Sequence, residues 1–390
     1  MSDKYKSQYL TRVRFVNLCD KFKYSPLCIP YAFEIVAGSR SISDSFSVLN
    51  FRGKPILSIN DEHSKLVINH VSELLKELYE VKQGNRHKIV ANVVQMLGEN
   101  SEKYVFRYDI KKFYESIHPE YIYRMVISDP AISPNSKALV RMYLKGIEDK
   151  GIFGVGRGTS LSAALAEYYL LDFDKVIRRI DGVYYYARFV DDIIIFSYKK
   201  IEKFKDIVQS KLPSGMILHE RKDKKSEVSF VDDTEWTFSY LGYKFTANKK
   251  KLIKIDFSDN KVEKIKSRLV KSFMDYGRNN DERLLITRIK YLTGNRFIQL
   301  SNGLAYTVGF YSSYRNINPS NSDGLIELDK FYKKIIFSKK FRVNKLIPFS
   351  TLSQKGLNFV KNVSFLESYK SRPYYYFSNI NRVKRCWSNE

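Results

Sequence analysis

Residues 184 to 196 read YYYARFVDDIIIF, and the adjacent pair Asp191-Asp192 inside that run constrains the fold more than any other feature. Phe189-Val190 precede the pair and Ile193 to Phe196 follow it. β-Branched and aromatic residues on both sides predict two strands, and the carboxylates between them predict a tight turn. An Asp-Asp pair by itself does no more than start a turn. Here the flanking strands are apolar enough to be core, and ionised carboxylates held there need a counter-charge.

A third carboxylate belongs with them. KYVFRYDI (Lys103 to Ile110) alternates in polarity and predicts a strand ending at Asp109. A strand end beside a β-turn can bring carboxylates within a few ångström, although 82 residues separate Asp109 from Asp191. The natural counter-charge is a pair of divalent cations. Oxygen-only ligands suit Mg²⁺, with Mn²⁺ as an alternative. Two such ions, about 3.5–4 Å apart, can activate an attacking 3′-hydroxyl and neutralise a leaving pyrophosphate.

The rest of the chain supplies a scaffold. Helical spacing of apolar residues predicts helices over Ser64 to Val81 and His87 to Leu97, and through YESIHPEYIYRMV. GVGRGTS (Gly154 to Ser160) is a glycine-punctuated loop that opens onto a helix with small residues in its first turns. IEKFKDIVQSKL predicts a surface helix stopped by Pro213, and Trp236 to Phe245 a hairpin. Beyond Lys251 the helical period dominates, with Val262, Ile265, Leu269 and Phe273 on one face. The expected fold class is α+β, with a domain boundary near 255: residues 1–255, then a mostly helical domain over 256–390.

The 390 residues carry 67 Lys and Arg against 42 Asp and Glu, a net charge of +25. A chain this basic usually meets a polyanion, most often nucleic acid. From Lys251 onward there are 27 Lys and Arg against 11 Asp and Glu, a net +16, as expected of a segment that grips a phosphate backbone. The three cysteines, Cys19, Cys28 and Cys386, show no metal-site spacing, which fits a reducing cytoplasm. No apolar run approaches the ~20 residues of a membrane span, and the N-terminus lacks an apolar leader.

Taken in order, these stretches resemble the palm motifs of reverse transcriptases over roughly residues 86 to 246. RYDIKKFYESI resembles the first catalytic stretch, with Asp109 as metal ligand and the Ile110 backbone beside it. GVGRGTSLSAALAEYYL resembles the loop and helix that pack on the template and the incoming nucleotide. YARFVDDIIIF resembles the catalytic hairpin. LHERKDKK resembles the segment whose lysine, here Lys222, approaches the pyrophosphate as a general acid. FSYLGYKF resembles the primer grip, centred on Leu241-Gly242. DIKKFYESI, YYYARFVDD and RIKYLTGN look most like the bacterial abortive-infection and defence-associated members, whose palms are related to group II intron and retron enzymes.

The resemblance implies a right-hand polymerase with a split β-α-β palm (motifs about 104–118 and 154–246). Fingers would come from the first ~100 residues and the region around 120–155, and a basic thumb-like domain from 256–390. It implies RNA-directed DNA synthesis by two-metal nucleotidyl transfer, with Asp109, Asp191 and Asp192 holding the ions. Tyr114, five residues after Asp109, would lie under the sugar and exclude a 2′-hydroxyl. Gly156 and Gly158 let the backbone approach a ligand. Arg157 stands where relatives commonly have glutamine, and an arginine there can pair with a triphosphate. Arg86 and Lys88 can hold triphosphate oxygens, and Arg188 can balance the acidic cluster. Expected partners are an RNA template or non-coding RNA, the DNA product, dNTPs, and a second copy or protein subunit. Template-independent or protein-primed synthesis, the latter from a hydroxyl in RPYYYF (Arg372 to Phe377), stays open. So does a nucleic-acid binder on an inactive polymerase fold.

Overall fold

The computed structural model describes residues 10–51, 53–81, 84–99, 103–220, 227–231, 235–247, 253–299, 305–340 and 342–387. The fold is mixed α+β. It divides into two compact units: residues 1–85, 101–231 and 301–303, and residues 86–100, 232–300 and 304–390.

In the first unit, β1 (Phe46–Phe51) and β2 (Lys54–Ile59) form a hairpin. A four-stranded antiparallel sheet contains β3 (Lys103–Asp109), β4 (Val183–Phe189), β5 (Asp192–Ser197) and β6 (Glu227–Val231), in the order β4-β5-β3-β6. Its two faces differ. Phe106 and Tyr108 lie opposite Ile195 and Ile193 and join the main core, where Phe204 packs edge-on against Phe106 at 4.5 Å. Asp109, Arg107 and Asp192 alternate to the other face. Ile193 to Phe196 are all 0% exposed, so β5 is a rigid mount. Burial of each such side chain stabilises by about 1.5–3 kcal/mol. The Glu62–Tyr79 helix runs through the core with Leu66, Val67, Leu74 and Leu75 buried, its start fixed by Asp61 accepting the Ser64 N–H at 2.6 Å.

The second unit contains an antiparallel meander of β7 (Trp236–Tyr240), β8 (Tyr243–Ala247) and β9 (Ile253–Phe257), and a hairpin of β10 (Asn295–Gln299) and β11 (Ala305–Gly309). Its longest helices are Asp259–Asn279, Asp323–Phe337, Arg86–Gly98 and Glu282–Thr293. This unit takes in 86–100 and begins again at 232 instead of 256, because the meander belongs here; over 256–390 helices predominate beside the β10–β11 hairpin. Asp256 on β9 accepts the Ser322 hydroxyl at 2.6 Å and the Gly324 N–H at 3.0 Å, and Phe257 stacks on Phe310 at 5.3 Å. Those bonds tie β9 to the start of the Asp323–Phe337 helix. No helix among the described residues is long and apolar enough to cross a membrane.

Candidate active site

The β4–β5 hairpin closes with Phe189 opposite Asp192, leaving Val190 and Asp191 as its two turn residues. Val190 has φ +59°, a left-handed conformation that a β-branched residue adopts at a cost. Arg188 helps to hold it there, donating to the Val190 carbonyl at 3.1 Å. The guanidinium is buried and also binds Glu167 (2.7 Å) and Asp174 (2.8 Å). Burial raises the Glu167 carboxyl above its usual range, against the pull of Arg188. Arg188 is therefore committed to two carboxylates beneath the turn, which corrects its expected role as counter-charge to the aspartates.

Asp109 lies directly opposite Asp192, at the end of the β3–β5 ladder. Like charges so placed repel. Two side chains moderate this: the Arg107 guanidinium reaches Asp192 Oδ1 at 3.7 Å, and His219 Nε2 lies 3.2 Å from Asp109 Oδ1. The backbone extends the assembly. Ile110 N–H donates to the Asp191 carbonyl at 3.1 Å, His219 N–H to the Asp109 carbonyl at 2.8 Å, and Lys111 N–H to the Ile217 carbonyl at 2.8 Å. The three predicted aspartates and Ile110 thus share one sheet end. Their oxygen donors suit Mg²⁺ in kind. Among the described residues, no group of three or more His, Cys, Asp or Glu side chains stands arranged to hold a metal ion.

The glycine loop packs beside this end. Val155 N–H bonds the Tyr114 carbonyl at 3.2 Å. Thr159 caps the Ser160–Tyr169 helix by accepting the Ser162 N–H, and the buried Tyr143 hydroxyl bonds both Thr159 and Ser162. Gly158 has φ +109°, and a Cβ there would lie 2.5 Å from the Leu57 carbonyl oxygen. Its close approach is therefore to β2. Arg157 stacks over the Tyr114 ring at 5.2 Å and grips Glu115 through two bonds of 2.7 and 2.8 Å. To meet a triphosphate, Arg157 would have to leave Glu115. Burial raises the Tyr114 hydroxyl's pKa, with Glu167 and Asp191 adding to the effect. Tyr114 thus shares the electrostatic surroundings of the turn.

The remaining expected residues belong to the second unit or lie outside the described residues. Leu241 (φ +47°) and Gly242 (φ +74°) form the two-residue turn between β7 and β8 in the second unit, a conformation that favours glycine. Arg86 belongs to the same unit. It donates to the Leu241 and Ser313 carbonyls and is sandwiched by Tyr243 (5.0 Å) and Tyr314 (4.8 Å). It braces the turn. Lys88 is exposed on the Arg86–Gly98 helix. Lys222 lies outside the described residues. Arg107, Glu115, Glu167 and His219 were not anticipated. Arg107 was readable, two residues before Asp109 and so on the same strand face. His219 was not, because it meets Asp109 through a bridge between Ile110 and Leu218 that no local pattern signals. No protein-family model matches the chain, and no curated protein matches it.

Proposed function

We propose that the chain is a polymerase of the reverse-transcriptase type that joins deoxynucleotides on a nucleic-acid strand. The observation that carries this reading is the placement of Asp109 opposite Asp192, with Asp191 in the adjoining turn and its carbonyl bonded to Ile110 N–H. In this reading the β4-β5-β3-β6 sheet is the palm, and the basic second unit is a thumb-like clamp on the backbone. Asp109, Asp191 and Asp192 would hold Mg²⁺, which when bound activates the 3′-hydroxyl and neutralises the leaving pyrophosphate. To do so, Asp109 must turn from His219 and Asp192 from Arg107. Tyr114, pinned under Arg157, would set the wall that rejects a 2′-hydroxyl. The likeness of the motifs to defence-associated bacterial enzymes supports a role against phage, with a non-coding RNA or partner subunit.

The test is incorporation of labelled dNTPs with Mg²⁺ by the purified protein and its co-purifying nucleic acid, beside Asp191→Asn/Asp192→Asn. Labelled DNA that disappears in the variant supports the reading, and its sequence separates templated from untemplated synthesis. A second reading, a non-catalytic nucleic-acid binder, is favoured by the Arg107 and His219 side chains already seated on two of the carboxylates. No incorporation with any supplied primer and template, together with wild-type nucleic-acid binding by the variant, selects it.

A further inference from the structure

Phe297 on β10 and Tyr374 lie face to face in the second unit, with ring centroids 4.8 Å apart and planes 16° from parallel. The backbone fixes this pair. Asn295 N–H donates to the Pro373 carbonyl and Tyr375 N–H to the Asn295 carbonyl, each at 2.8 Å, so the segment runs parallel beside β10. The aromatics of this segment divide by side. Tyr375 packs beside Gly294 and under Lys290, and Phe377 meets Tyr291 at 5.5 Å; both are half-buried. Phe297, Tyr374 and Tyr376 point outward, 63%, 48% and 92% exposed. Anchored rings on one side and bare rings on the other make a platform, not a folding contact.

Charge selects what covers it. Residues 370–387 contain five Lys and Arg and no Asp or Glu. Arg296 lies over Tyr291 at 4.5 Å on the neighbouring strand residue. Lys370 and Arg382 pair with Glu367 and Asp281, and Arg372, exposed two residues before Tyr374, lies over the Tyr311 ring at 4.1 Å. An apolar protein surface would cover the rings but would not answer the excess positive charge of this segment. A strand of unpaired bases matches both, because each base offers a flat face for stacking and each phosphate a negative charge. A duplex hides its base faces and does not fit. We propose that the Phe297–Tyr374–Tyr376 platform stacks unpaired bases of a single-stranded nucleic acid. No residue of the Asp109 site takes part, so the inference stands apart from the polymerase reading.

The experiment uses the full chain and a 12-nucleotide oligouridine (~12 as one site's span) carrying 5-iodouridine. Ultraviolet cross-linking is followed by peptide mass spectrometry, and anisotropy compares the same strand single and base-paired. The expected result is a cross-link on Phe297, Tyr374 or Tyr376. Phe297→Ala/Tyr374→Ala should weaken single-strand binding by about five- to a hundredfold, leaving duplex binding unchanged, while Phe297→Trp retains it. Tyr376→Ala, too exposed to disturb folding, should weaken it in the same direction and keeps the test decisive if the double variant misfolds. Cross-links confined to other peptides, or equal losses for single and paired strands, overturn the proposal. So does light scattering that shows the rings joining two copies while strand binding is unaffected by their removal.

Discussion

His70 shows how one side chain couples the core to pH. It is 0% exposed on the Glu62–Tyr79 helix, edge-on to Phe15 at 5.9 Å, and neither ring nitrogen has a hydrogen-bond partner among the described residues. Burial, with Arg14 adding repulsion, lowers its pKa from 6.5 to about 3. Between those values the unfolded chain binds a proton that the folded chain refuses, so the stability His70 permits above pH 6.5 is lost as pH falls. The slope is at most about 1.4 kcal/mol per pH unit. His70→Leu should therefore show a smaller drop in urea midpoint between pH 7 and pH 5.5 than wild type. Equal drops would mean that the ring charges without penalty. Nothing in the sequence marked His70, because a histidine at a core position of an amphipathic helix looks like any polar residue that happens to fall there.

Single elements were legible where they carried their own period. The Asp259–Asn279 helix buries Val262, Ile265, Leu269 and Phe273, the four residues that spacing placed on one face. The hairpin at the aspartates was legible for the same reason, as two apolar β runs flanking a turn. The β1–β2 and β10–β11 hairpins passed unnoticed because neither alternates cleanly: Asn295 and Arg296 open β10, and Lys54-Pro55 open β2. Partners were harder still. Arg86 was expected to hold triphosphate oxygens, yet its bonds reach Leu241 and Ser313, far along the chain. Arg86→Ala would strip two carbonyls of a charged donor and remove a cation between two rings. It should destabilise the protein by about 2–4 kcal/mol, read as a lower thermal midpoint, with dNTP KM unchanged in any active preparation. A raised KM with unchanged midpoint would return Arg86 to the nucleotide.

At the scale of the molecule the dominant quantity is the net charge of +25. If it serves a polyanion, log affinity for single strands should fall linearly with log salt, by about 0.7 per phosphate contacted. A loss of about tenfold or more between 50 and 200 mM salt is expected, measured by anisotropy at several salt concentrations. A flat response would mean that the charge serves the protein's own surface. The β3–β5 ladder has a further consequence, for the order of events during synthesis. β3 is complete at residue 109, but its carboxylate has no neighbour across the sheet until residues 192–197 exist. The ribosome must therefore add more than eighty residues after Asp109 before that carboxylate can meet Asp192. A nascent chain stopped short of β5 holds an orphan strand end, and the whole hairpin must clear the exit tunnel before the candidate site can begin to form.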